Sequence, residues 1–163
     1  MKAMKKFAMV LAALALLAGL SACGKSEKEG KIASQVTVGG ATLALGAEFT
    51  AETQDKLGEP TDVVQAPSCH YDGSDSIYYY DGFTVYTYMD QEKSIIYSVE
   101  LKGASLATPE GAKTGMKLDE VKALYGDGYE EVTSGISYAL GDGMKLNFRT
   151  ADNAVTLIEY YKE

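Results

Sequence analysis

The sequence predicts an α+β fold: two tandem repeats, each a short helix followed by a roughly three-stranded antiparallel meander, preceded by a β-hairpin. Two similar helical stretches, each followed by alternating strands, carry that prediction, and Asp-Gly pairs mark the turns. The first stretch is "LGAEFTAETQDKLGEP" (Leu45 to Pro60) and the second "KTGMKLDEVKALYGDG" (Lys113 to Gly128). Each has a glycine, then an apolar residue three positions on (Phe49, Leu118). An N-cap candidate follows (Thr50, Asp119), and glycine closes the run (Gly58, Gly126). Phe49, Thr53 and Leu57 share one helical face, as do Leu118, Val121, Leu124 and Tyr125. Helices this short need packing to persist. "DGFTVYTYM" from Asp81 aligns with "DGMKLNFRT" from Asp142, and "IYSVEL" from Ile96 with "VTLIEY" from Val155. Both pairs alternate with a strand's period of two, and Asp-Gly before each first strand is a hairpin signal. "VTVGGATLAL" (Val36 to Leu45) reads as the leading hairpin, turning at Gly39 and Gly40.

The N-terminal quarter carries an address. Lys2, Lys5 and Lys6 precede an uncharged apolar run from Phe7 to Leu20, which is shorter than the roughly 20 residues a spanning helix needs. The run ends Leu20-Ser21-Ala22-Cys23. This pattern resembles the lipobox of bacterial lipoproteins. The resemblance implies a signal peptide over 1–22, cleavage before Cys23, and lipidation of the Cys23 thiol. The chain would then be lipid-anchored on the extracytoplasmic face of a cell membrane, because two or more acyl chains give stable attachment. Residues 23–35, from the lipidated cysteine through a polar run with Ile32 as its one large apolar residue, read as a flexible tether of about 20 Å. Residues 36–163 are sufficient for a single core, with repeat one at about 45–103 and repeat two at about 113–163.

Of 15 basic and 23 acidic residues, three lysines fall within 1–22, so cleavage leaves 12 basic residues and a net charge of −11. That balance disfavours nucleic acid, which is bound by neutralising phosphates, and electrostatic adhesion to anionic lipid.

The helix phrases resemble those of the SmpA/OmlA-type outer-membrane-assembly lipoproteins. Gly115, Met116, Val121, Leu124 and Gly126 fit the phrase in the second copy, and Gly46, Leu57, Gly58 and Pro60 in the first. Two helix-plus-meander units in tandem also resemble the beta-lactamase inhibitory protein family. The resemblance implies a fold and, by analogy, protein binding, and it brings no chemistry with it.

The repeats differ in two places. Gly58 to Gly82 is seven residues longer than Gly126 to Gly143, and the extra length holds "APSCHYDGSD" with Cys69 and His70. The strand faces also differ. Phe83, Val85 and Thr87 match Met144, Leu146 and Phe148 as the core face. Thr84, Tyr86 and Tyr88 on the other side match Lys145, Asn147 and Arg149. All 12 tyrosines lie from Tyr71 onward. Tyrosine joins apolar area to a polar tip at modest entropic cost, so Tyr86, Tyr88 and Tyr71 form a candidate binding face, with Cys69 and His70 as a candidate loop rim. Cross-strand packing is the competing reading of the same tyrosines, and Tyr78, Tyr79 and Tyr80, being consecutive, cannot all face outward.

Catalysis is not expected. No Gly-x-Ser-x-Gly elbow is present, and adjacent Cys69 and His70 point to opposite sides of an extended chain. Asp72 and Asp75 would raise a nearby thiol's pKa. A zinc site wants about four ligands, "DGSD" lacks the calcium-loop pattern, and there is no tryptophan to stack a sugar. No metal and no cofactor are expected. With Cys23 lipidated, Cys69 has no partner within the chain; it reads as a small residue packed beside the first hairpin, or as a bridge to a second molecule. The expected role is a non-enzymatic protein- or peptide-binding module, the identity of the partner being open. The alternatives are a small-ligand or envelope-polymer binding lipoprotein, then a metal-dependent or enzymatic protein using the Cys69 region.

Overall fold

The computed structural model describes residues 31–163 except Cys69, His70 and Asp72. The expected signal peptide over 1–22, the expected lipidation site Cys23, and the candidate Cys69–His70 rim lie outside the described residues. Among those described, no helix is long and apolar enough to cross a membrane.

The chain runs β1 (Gln35–Val38), β2 (Ala41–Ala44), α1 (Ala51–Leu57), β3 (Asp62–Pro67), β4 (Ser74–Tyr80), β5 (Phe83–Asp90) and β6 (Lys93–Leu101). Then follow α2 (Leu118–Tyr125), β7 (Tyr129–Val132), β8 (Gly135–Gly141), β9 (Met144–Ala151) and β10 (Ala154–Lys162). β1 and β2 form the expected hairpin, with positive φ at Gly39 and Gly40. The other eight strands make one antiparallel sheet in the order β3-β4-β5-β6-β10-β9-β8-β7. The fold is mostly β, and α+β describes it in the broad sense.

Each helix is followed by four strands, not about three. The additional ones, β3 and β7, are the two sheet edges. Every position of β3 is exposed and three of four in β7 are, so neither carries the one-sided alternation that marks a half-buried strand.

Local chemistry sets the helix ends. Thr50 caps α1, its hydroxyl accepting from the Thr53 amide at 3.2 Å. At the other ends, Gly58 (φ 80, ψ −169) and Gly126 (φ 81, ψ −168) donate to Gln54 and Lys122 carbonyls. The second N-cap is Lys117, not Asp119. The Glu120 carboxylate reaches back and accepts from the Lys117 amide at 2.8 Å, and Asp119 sits in the first turn, where its charge favours the helix dipole. Replacing Thr50 with Ala is expected to cost about 1 kcal/mol in urea unfolding, with Thr50→Ser near wild type. Equal losses in both variants would show that the cap hydroxyl contributes nothing.

One sheet face holds the core. Val85, Val99, Leu101, Leu146, Phe148 and Ile158 are fully buried, with Ile136, Tyr138 and Tyr160 at 1%. Full burial of such side chains stabilises by about 1.5–3 kcal/mol each. α2 covers this face with Val121, and Tyr125 lies 5.2 Å from the Phe148 ring. Phe49, just before α1, meets Tyr78 edge-on at 4.9 Å. The hairpin adds Val36 and Leu43, and the stretch after it is tied to β6 by Gly46→Ile96 and Phe49→Ser94 backbone bonds, both 2.7 Å. Ile32 packs against this core and the Ala33 amide donates to Glu110 at 3.0 Å, so the chain is attached to the domain from residue 32.

Candidate functional site

Helices and hairpin occupy one face of the sheet and leave the other open, and the cross-strand register defines what lies there. Thr84, Tyr86 and Tyr88 of β5 face Tyr79, Ile77 and Asp75 of β4. Those residues in turn face Asp62, Val64 and Ala66 of β3. On the far side, Glu100 and Ser98 of β6 oppose Glu159 and Tyr161 of β10, followed by Asn147 and Lys145 of β9. Half of the tyrosines belong to this face (Tyr71, Tyr79, Tyr86, Tyr88, Tyr97, Tyr161). Tyr78 and Tyr80 turn to the core, which resolves the run of three as alternation requires.

The expected residues Tyr71, Tyr86 and Tyr88 do come together, through a fourth. Tyr71, on the β3–β4 connection, stacks on Tyr88 with centroids 3.7 Å apart and planes 11° from parallel. Tyr97 lies 5.9 Å from Tyr71, 6.1 Å from Tyr86, 6.3 Å from Tyr88 and 6.4 Å from Tyr161. Strict alternation would bury Tyr97 beside Val99. A bulge prevents this: Tyr86 pairs with Ser98 but Thr87 with Ile96, so Tyr97 is the extra residue and turns outward. The sequence carries no local mark of that bulge.

The cluster is half-buried by its own members. Burial pushes the Tyr97 hydroxyl up to about 12, with the nearby Asp75 carboxylate adding to the effect. Burial likewise raises Tyr86, which donates to Glu100 at 3.0 Å, and Tyr71. Glu100 and Glu159 stand directly opposite each other across β6 and β10, at the middle of the face. Like charges so placed repel, and each is offset within its own half of the sheet. Lys102 lies 2.6 Å from Glu100; Arg149 at 3.4 Å and Asn147 at 3.1 Å hold Glu159. Beyond them is a polar depression of about 360 Å³, lined by Glu130, Ser137, Lys145, Asn147, Arg149 and Tyr161 among others.

Among the described residues, two atoms of the face are buried without a hydrogen-bond partner: Asp75 Oδ1 and Ser98 Oγ. Sequence reasoning placed Asp75 only as a neighbour of Cys69; its pairing opposite Tyr88 emerges from the register alone. Among the described residues, no group of three His, Cys, Asp or Glu side chains could hold a metal ion.

The chain matches no known protein-family model, and no curated protein and no solved structure matches it. The reading of its function therefore rests on the geometry of this open face.

Proposed function

We propose that this protein is a lipid-anchored extracytoplasmic binding module that captures a protein or peptide on the open face of its sheet. The observation that carries the reading is the aromatic cluster of Tyr71, Tyr86, Tyr88 and Tyr97, which sits on the side away from both helices. Tyrosine-rich, half-buried surfaces of this kind offer large contact area at little entropic cost. The lipobox-like Leu20-Ser21-Ala22-Cys23 supplies the anchor and the compartment in this proposal.

The proposal includes a tandem repeat as the scaffold. In its favour, helix C-caps agree within a degree in both angles, and the two halves run in mirrored strand order. The last strand of each half also bulges at one place, Tyr97 and Thr156. On that register Tyr86 corresponds to Arg149, two residues away from the sequence alignment but on the same face. One half thus presents tyrosines where the other presents charge. The polar depression of the second half supports the second reading, binding of a small ligand or envelope polymer.

Capture from an envelope extract by the full chain tests the first reading. The Tyr86→Ser/Tyr88→Ser double variant is expected to lose at least about nine-tenths of the captured partner, whereas Lys145→Ser in the polar half retains it. Because Tyr88 carries the Tyr71 stack, the double variant should also lose about 1–2 kcal/mol of stability. Retained capture in the double variant, or loss only in Lys145→Ser, would move the site to the polar half.

A further inference from the structure

We propose that the tyrosine half of the open face is built to receive a positively charged side chain from a basic segment of a protein partner, seated against Tyr97 and the Asp75 carboxylate. The inference rests on the protein-binding reading and names the chemistry of the partner.

Asp75 lies directly opposite Tyr88, and its Oδ1 is buried without a hydrogen-bond partner among the described residues. A buried polar atom left unpaired is costly, and more so when charged, so a donor arriving from outside gains what the fold leaves unmade. Among the described residues the chain does not supply one. The cations on this face are engaged elsewhere, Lys102 with Glu100, Arg149 with Glu159 and Lys145 with Glu163. Beside Asp75 stand the stacked Tyr71 and Tyr88, whose ring centroids lie 5.9 and 6.3 Å from that of Tyr97. Aromatic faces attract ammonium and guanidinium groups, and a carboxylate beside them adds a charge-assisted acceptor. The wall continues into Ile77 and Val64, the latter 40% exposed on the edge strand, so residues flanking the cation find apolar contact. That continuity favours a polypeptide over a free ammonium ion. Residues 31–163 hold 10 basic and 21 acidic residues, a field that steers a basic partner inward.

Binding of three probes to the full chain in neutral detergent, followed by NMR of the tyrosine rings at low salt, tests this. The probes are a blocked decapeptide of alternating lysine and glycine, its glutamate counterpart, and tetramethylammonium chloride. The lysine peptide is expected to shift the Tyr71, Tyr88 and Tyr97 resonances saturably, and the glutamate peptide not at all. Asp75→Asn should weaken the lysine peptide about tenfold without lowering the melting temperature, while Asp90→Asn, an equal charge change at the exposed end of β5, stays within about twofold. Equal weakening by both variants would reduce the effect to net charge and overturn the site. So would wild-type affinity in Asp75→Asn. Tetramethylammonium bound as tightly as the peptide would overturn the polypeptide partner. If Asp75→Asn still captures the envelope partner that the double tyrosine variant loses, the binding face stands and the cation site falls.

Discussion

Gly135→Ala is expected to remove most of the stability of this domain, at least about 4 kcal/mol in urea unfolding and a fall in melting temperature to match. Gly135 opens β8 with φ +149 and lies opposite Arg149 of β9. A Cβ there would sit 1.8 Å from the Phe148 carbonyl oxygen, 2.9 Å from its carbon and 3.2 Å from Arg149 Cα. All three are backbone atoms, so no side chain can swing aside. β9 cannot retreat either, because Phe148 and Leu146 are fully buried. Relief requires breaking the β8–β9 ladder, which carries Ile136 and Tyr138 into the core. A loss below about 1 kcal/mol would mean that the two strands can separate without disturbing the core.

Alkaline pH should unfold the protein over a narrow range, because several tyrosines are held neutral by burial. Tyr138 is pushed up to about 12, and Tyr125 and Tyr160 are raised further, burial being the largest cause in each. In the unfolded chain these groups ionise near 10. Between that value and the raised one, the unfolded state has lost protons that the native state still holds, so stability falls as pH rises. The contribution is complete below about pH 9 and is lost from about pH 10 upward. Tyr138 and Tyr160, each 1% exposed, contribute a slope of about 1.4 kcal/mol per pH unit apiece. Urea unfolding at intervals from pH 8 to pH 11.5 measures it, with phenolate absorbance expected to appear together with the loss of β-structure. Constant stability to pH 11.5 would sink the argument. The Tyr160 hydroxyl has no hydrogen-bond partner among the described residues, so Tyr160→Phe should flatten the alkaline limb without weakening the protein at neutral pH.

The elements that the sequence makes legible are those set by near neighbours. Thr50, Gly58 and Gly126 mark helix ends because a cap is made within four residues. The alternation in "FTVYTYMD" announces β5 because one side of it is core. The edge strands β3 and β7 leave no such trace, since exposure on both sides removes the periodic signal. The second N-cap lies two residues before the expected Asp119, because Glu120 reaches back to the Lys117 amide and starts the helix there.

Tyr86 and Tyr88 could be nominated for the open face from the strand period alone, and Tyr71 from composition. Tyr97 and Asp75 could not. Tyr97 owes its outward turn to one bulged residue between Ile96 and Ser98. Asp75 owes its place to pairing with Tyr88, across a hairpin whose register follows from the turn and from the core side chains on the opposite face.

What the amino-acid sequence determined by itself was the set of local choices: the hairpin at Gly39 and Gly40, the two helices and their glycine stops, and the apolar side of the main strands. These depend on backbone geometry and side-chain period over a few residues. Only the tertiary structure decided that eight strands join through β6 and β10 into one sheet, that Glu100 meets Glu159 at its middle, and that Tyr71, Tyr88 and Tyr97 gather beside Asp75, whose Oδ1 has no hydrogen-bond partner among the described residues. Those are cross-strand facts. Shifting the register by one residue would carry each of these side chains to the other face, so their meeting depends on how the whole core packs.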